Sequence, residues 1–449
     1  DALSDVAAAD SDTPPPAPTR VAATPPTARP PMVPAPRARP TPPDADVARE
    51  RAGTVALAPE RTPEPAPRPR EAPIPPPPST DAGDSEGSAD AAAVAGALSA
   101  RAVSLGGMHS CAVLRGGRVS CWGSNDHGQL GSRGGARQVR AAPLTVGLEL
   151  HGLALGLAHS CGLMDDGTAL CWGSNDHGQL GIGAATETSV PSRVSGDTRF
   201  TALAVGASHS CGLDADGAAL CWGANDDGQL GTGDTRARRA PTRVAGDARF
   251  ASIVAGWSHS CAVAAGGRGF CWGSNDDGQL GVAGSSRDTP TPVGTSERLR
   301  AMAAGSAHSC ALTTGGSVLC WGRNRDGQLG DGTRSGSRTP HTVKLPGTAV
   351  AIAAGTVHSC ALLRAGDVYC WGQNRYGQLG DGTTIDRATP VRVATSLPFA
   401  AIAASGAHSC GLTTGGATLC WGYNLDGQLG DGTRDNRSRP VPVRAGGTG

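Results

Sequence analysis

Lysine is almost absent: Lys344 is the single one among 39 basic residues, and the rest are arginines. Aromatic residues make up only 3% of the chain, too few for a conventional aromatic core. Net charge is also missing, with 39 acidic residues against 39 basic ones, so no global field directs the chain to nucleic acid or to an anionic membrane. No apolar run is long enough to cross a bilayer as a helix. The sequence opens at Asp1 without a signal-peptide pattern, and the expectation is a processed product, with any leader removed, or an excised piece. There is no Gly-x-x-x-x-Gly-Lys-Ser/Thr run, which excludes a phosphate cradle of the P-loop kind.

Residues 1–97 lack aromatics and cysteine altogether and hold 23 of the 34 prolines. Nine arginines stand there against fourteen acidic residues, a net charge of 9 − 14 = −5, the wrong sign for a DNA-binding arm. Such a segment cannot bury enough apolar surface to offset the entropy of ordering. It is expected to be a disordered, partly polyproline II linker, with binding to proline-recognising domains as the functional alternative.

From 98 to 449 the character changes. His109-Ser110-Cys111 is followed, after nine intervening residues, by Cys121-Trp122-Gly123, and the pattern recurs at His159, His209, His259, His308, His358 and His408. Each copy continues through an asparagine to Gly-Gln-Leu-Gly, as at Asn125 and Gly128-Gln129-Leu130-Gly131. A period of 49 or 50 residues held seven times is a repeat architecture. In the second copy, Leu153–Leu155, His159–Leu163, Thr168–Gly173 and Val190–Val194 read as four short strands. Pro191 places the last of them at a sheet edge. Four short strands per repeat fit the blade of a propeller.

The central hairpin fixes its own register. Its three-residue loop, Asp165-Asp166-Gly167 in the second copy, ends on glycine in every repeat: Gly117, Gly167, Gly217, Gly267, Gly316, Gly366 and Gly416. Glycine there suits the left-handed residue of a three-residue hairpin. That register sets the two cysteines of each repeat opposite one another. The expected disulfides are Cys111–Cys121, Cys161–Cys171, Cys211–Cys221, Cys261–Cys271, Cys310–Cys320, Cys360–Cys370 and Cys410–Cys420. Their alternative is fourteen buried free thiols acting as small apolar residues. Paired cysteines imply an oxidising compartment, hence an extracellular, periplasmic or cell-surface location; reduced ones imply the cytoplasm.

Seven His-x-Cys units could be imagined around zinc, but identical sites in every repeat favour packing or a buried hydrogen bond for the histidines. Asn225–Gly228 and Asn275–Gly278 echo part of a calcium loop, yet the glutamate needed downstream is missing, and these residues read as turn formers. No metal, cofactor or catalytic residue is implied.

The Gly-x-x-His-Ser-Cys-Ala-Leu, Cys-Trp-Gly-x-Asn and Gly-Gln-Leu-Gly-Asp-Gly-Thr series, clearest over Gly355–Thr383, resembles the repeats of the regulator of chromosome condensation family. The resemblance covers about 98–449 and implies an all-β, seven-bladed β-propeller of four-stranded blades, here in a bacterial-type form with paired cysteines. Ser405 departs from it, standing where the other copies carry glycine three residues before the histidine.

The conspicuous break in symmetry for a binding role is Trp257, expected to anchor a partner, with incidental packing as the alternative. The connection between third and fourth strands is some 15–20 residues long, and chain reversal gathers the seven of them on one end of the ring. Their later halves carry Arg133, Arg137, Arg140, Arg236, Arg238, Arg239, Arg287, Arg334, Arg338, Arg387, Arg434, Arg437 and Arg439, which form either a solvated, charge-mixed rim or a set of guanidiniums suited to an anionic partner. The expectation is a monomeric, non-catalytic, exported module that binds a protein or anionic polymer through this face; capping an enzyme would be one form of it. The alternatives are guanine nucleotide exchange on a small GTPase, the activity implied by the family's namesake, and a repeat-based enzyme.

Overall fold

The computed structural model describes residues 94, 96–132, 137–144 and 147–446. The linker expected over 1–97 therefore lies almost wholly outside the described residues, as does Arg133.

Every element among the described residues is a β-strand. The first sheet is β1 (Ala100–Leu105), β2 (His109–Leu114), β3 (Val119–Gly123) and β4 (Gln138–Pro143), paired in that order. The second is β5 (Gly152–Leu155), β6 (His159–Leu163), β7 (Ala169–Gly173) and β8 (Thr188–Arg193). Five more four-stranded meanders follow, to a seven-bladed propeller. The innermost strands of successive blades lie side by side around the axis, and the proline-bearing fourth strands form the outer edges. No helix of the described residues is long and apolar enough to cross a membrane.

The hairpin register is the one that the glycine turn dictates. His159 faces Gly173, Ser160 faces Trp172 and Cys161 faces Cys171. Gly167 takes φ +80°, and its six counterparts lie between +76° and +92°. All fourteen sulfurs are joined within their hairpins, at S–S distances of 2.02–2.12 Å, and no cysteine among the described residues is free.

The core sits between blades, not within them. The Cys111–Cys121 disulfide packs with Trp172 of the next blade, Cys161–Cys171 with Trp222, and so on round to Cys410–Cys420 with Trp122. All seven of these tryptophans are fully buried. A low aromatic content thus suffices, because each indole fills one interblade seam and the adjoining disulfide supplies the opposite wall. Burying an indole of this size contributes several kcal/mol against exposure.

Closure of the ring uses both ends of the domain. Leu98 N–H donates to the Val443 carbonyl, and Thr418 N–H donates to the Leu98 carbonyl. On the outer edge, Ala141 N–H donates to the Arg444 carbonyl, and Gly446 N–H donates to the Ala141 carbonyl. The departure at Ser405 is absorbed locally. The strand Phe399–Ser405 runs one residue longer, Ser405 pairs with His408, and Gly406 takes the positive φ of +50°.

Candidate docking face

Each innermost strand runs toward the turn that precedes the histidine, and each third strand runs back to the same end. The turns at 106–108, 156–158 and 256–258 therefore share one end of the ring with the long connections at 124–137, 174–187 and 274–286. These connections are 13 or 14 residues long, shorter than the sequence suggested, because the fourth strand starts earlier; in blade 2 it begins at Thr188.

A shared core of hydrogen bonds makes these loops rigid. The asparagine after Cys-Trp-Gly accepts the leucine N–H through Oδ1, as Asn175 does from Leu180 at 3.0 Å. Its Nδ2 gathers the carbonyls of the loop's later half, Ala184 and Thr186 in the same blade. Asn225 and Asn275 do likewise, so the calcium-loop echo is a set of turn formers.

Glutamine joins the loops to the neighbouring blade. Ser160 donates its hydroxyl proton to the Gln129 carbonyl at 2.8 Å, and Trp172 Nε1–H donates to the same oxygen at 2.9 Å. With that proton used, Ser160 Oγ can only accept from His109, whose Nε2 lies 2.9 Å away. This fixes the Nε2–H tautomer. The other ring nitrogen, Nδ1, is buried without a partner in all seven histidines. Burial pushes their pKa values from 6.5 down to about 3, or about 4 for His209 and His308, so the rings are neutral. The histidines are bound to serine and the cysteines to each other. No group of three His, Cys, Asp or Glu side chains among the described residues is placed to hold a metal ion.

Several of the arginines singled out from sequence serve the loops themselves. Arg238 pairs with Asp234 at 2.7 Å, and Arg437 pairs with Asp431 at 2.8 Å. Burial works against ionisation of Asp431, but hydrogen bonds from Thr433 and Arg437 outweigh it and hold its pKa below the ordinary range. Arg338 reaches across to the previous blade, donating to the carbonyls of Asn275, Asp276 and Gly284. Arg236, Arg239 and Arg439 are exposed on the outer part of the same end. Arg334 and Arg434 are exposed too, each donating to a backbone carbonyl at the tip of its own loop, Arg325 and Leu425 respectively.

Trp257 lies 46% exposed at the mouth of the central channel. The depression there is lined by Gly107, Gly156, Gly206 and Gly305 together with the larger apolar Leu155 and Leu157. Asp227 comes from the neighbouring loop to hydrogen-bond Ser258. Partial burial raises the Asp227 pKa, and the charges of Asp276 and Asp226 raise it further.

The loop tips were not singled out in sequence. Tyr376 is 38% exposed, Ile385 59% and Leu425 48%; with Trp257 they are the four exposed large apolar side chains among the described residues. All four lie on the long-loop end. Arg325 and Arg375 occupy equivalent exposed tip positions in blades 5 and 6, where blades 1–4 carry Asp126, Asp176, Asp226 and Asp276. The signal for them was a break in the repeat at the residue after the asparagine.

Residues 201–448, more than half of the chain, match the family model described as RCC1-like domain. Residues 166–213, and separately 100–129 and 151–179, match models of the regulator of chromosome condensation (RCC1) repeat. No curated protein matches the chain significantly in sequence. Among solved structures the chain is similar to human WBSCR16, with 24% identity, a TM-score of 0.66, and coverage of 73% of this chain and 94% of that one. It is also similar to Prp20p from Saccharomyces cerevisiae, described with its binding to Gsp1p and histones, at 23% identity and TM-score 0.66, covering 73% and 86%. At these identities the likeness is one of fold.

Proposed function

This chain belongs to the regulator of chromosome condensation repeat family, and from that premise we propose that it is an exported, non-catalytic propeller that docks a protein or anionic polymer through its long-loop end. One observation carries the reading: Trp257, Tyr376, Ile385 and Leu425, the four exposed large apolar side chains among the described residues, share that end. Exposed apolar groups beside arginine and tyrosine are the composition of binding surfaces. Seven disulfides support an oxidising compartment. The serine hydroxyl, histidine Nε2 and asparagine amide repeated in every blade are engaged in structural hydrogen bonds, which supports a scaffold.

The test is site-specific photo-crosslinking in the periplasmic or extracellular fraction. A photoreactive side chain at Ile385 should yield a discrete adduct, and one at Asp216, on the hairpin turns of the opposite end, should yield none. Adducts from Asp216 alone would overturn the reading. Nucleotide release from a small GTPase on addition of the protein would favour exchange activity instead.

A further inference from the structure

The long-loop end is divided. Blades 3 and 4 present Asp226, Asp227, Asp276 and Asp277 at the starts of their long loops, whereas blades 5 to 7 present Arg325, Arg375, Tyr376, Tyr423 and Leu425 there. Three of the four exposed large apolar side chains, Tyr376, Ile385 and Leu425, fall in blades 6 and 7. Tyr376 and Tyr423 stack edge to face across the seam between those blades, with ring centroids 5.0 Å apart. The aromatic surface is therefore continuous from one blade to the next.

The charges in this sector are unevenly free. Asp426 pairs with Arg137 at 3.0 Å, Asp381 with Arg387 and Asp431 with Arg437. Asp326 accepts from Gln373 Nε2 at 3.2 Å. Among the described residues, no carboxylate forms an ion pair with Arg325, Arg334, Arg375 or Arg434. Arg334 donates to the Arg325 carbonyl at 3.2 Å, and Arg434 to the Leu425 carbonyl at 2.6 Å, which brings both side chains up to the loop tips. Four guanidiniums without a carboxylate partner thus share these loops with the exposed aromatic and aliphatic side chains.

We propose that the loop tips of blades 5 to 7 are the docking subsite, and that they take a protein segment bearing an apolar side chain flanked by carboxylates. This deepens, and rests on, the reading of the long-loop end as the docking face. Tyrosine and arginine are the side chains in which binding energy concentrates, and bidentate guanidinium–carboxylate pairing supplies the sign selection. A cationic segment is excluded from this sector by Arg325 and Arg375 and would be drawn to the aspartates of blades 3 and 4.

The experiment uses the full chain and three labelled twelve-residue peptides, read by fluorescence anisotropy. One alternates Glu and Leu, one replaces every Glu by Lys, and one replaces every Leu by Ala. The Glu/Leu peptide should bind best, more weakly as salt rises. Arg325→Glu with Arg375→Glu should weaken it at least tenfold, Tyr376→Ser severalfold, and Asp216→Ala, on the opposite end, not at all. An unchanged thermal midpoint shows that each variant folds. Preference for the Lys/Leu peptide, lost in Asp226→Lys with Asp276→Lys, would overturn the sector and leave the face standing. Binding indifferent to every tip substitution would overturn both, and no binding by any peptide would overturn the sector.

Discussion

His408 of the last blade donates from Nε2 to Ser110 Oγ of the first, 2.9 Å away and 298 residues distant in the chain. It is the seventh member of a closed circuit in which each blade's histidine is bound by the next blade's serine. Ser110→Ala would leave the His408 N–H buried and unpaired. We predict a loss of about 1–3 kcal/mol in equilibrium urea unfolding. An unchanged midpoint would show that the circuit does not hold the ring.

The same histidines make the domain sensitive to acid. Their folded pKa values, about 3 to 4, lie below the unfolded value of 6.5. The unfolded chain therefore binds more protons below pH 6.5. Stability is full above that value and falls as the pH drops toward 4. At pH 5, 1.5 units down, the cost is about 2 kcal/mol per histidine. Seven such costs rival the whole stability of a typical domain, so the ring should unfold cooperatively and not titrate in place. Urea midpoints that stay level between pH 7 and 4 would contradict this. His209→Gln should reduce the drop between pH 7 and pH 5 by about one seventh.

Each disulfide closes a hairpin of sequence separation 10 and is at most 1% exposed. Replacing Cys211 and Cys221 together by alanine should cost about 2–3 kcal/mol. In the native protein, reductant should act only as fast as blades open. Mass spectrometry after alkylation should count no free thiol without denaturant and fourteen after reduction in urea. Fourteen free thiols in the untreated protein would remove the export argument with the staples.

Two glycines separate close approach from mere flexibility. A Cβ on Gly206 would lie 2.4 Å from both His209 Cε1 and the Gly256 carbonyl oxygen, so Gly206→Ala should cost roughly 1–3 kcal/mol. Nothing lies within 4 Å of a Cβ on Gly266, and Gly266→Ala should be neutral or slightly stabilising. Thermal unfolding of both variants decides. Equal midpoints would mean that the turn before the histidine is not packed as described.

Much of the fold could be read from local features. The turn glycine, the cysteine spacing and the strand pattern act within one hairpin, and Cys161 faces Cys171 as the turn requires. What could not be read lies between repeats. The partner of His109 is Ser160, 51 residues on, a choice that depends on how one sheet meets the next. The candidate site was legible by end and not by residue. Arg238, Arg338 and Arg437 stand out as charges in sequence, yet each is tied to its own or the adjoining loop. Arg325, Arg375 and Leu425 are single replacements within a regular motif, and only the protrusion of the loop tip makes them prominent.

The outer edge of blade 1 receives its last hydrogen bonds from Arg444 and Gly446, whereas every sulfur finds its partner ten residues away. Covalent pairing is therefore local to each hairpin, whereas ring assembly joins segments from opposite ends of the domain. Each hairpin can oxidise as it emerges, with no competition from cysteines not yet made. Joining the first blade to the last instead brings together side chains 298 residues apart, so a fully cross-linked chain still has its longest-range contact to make.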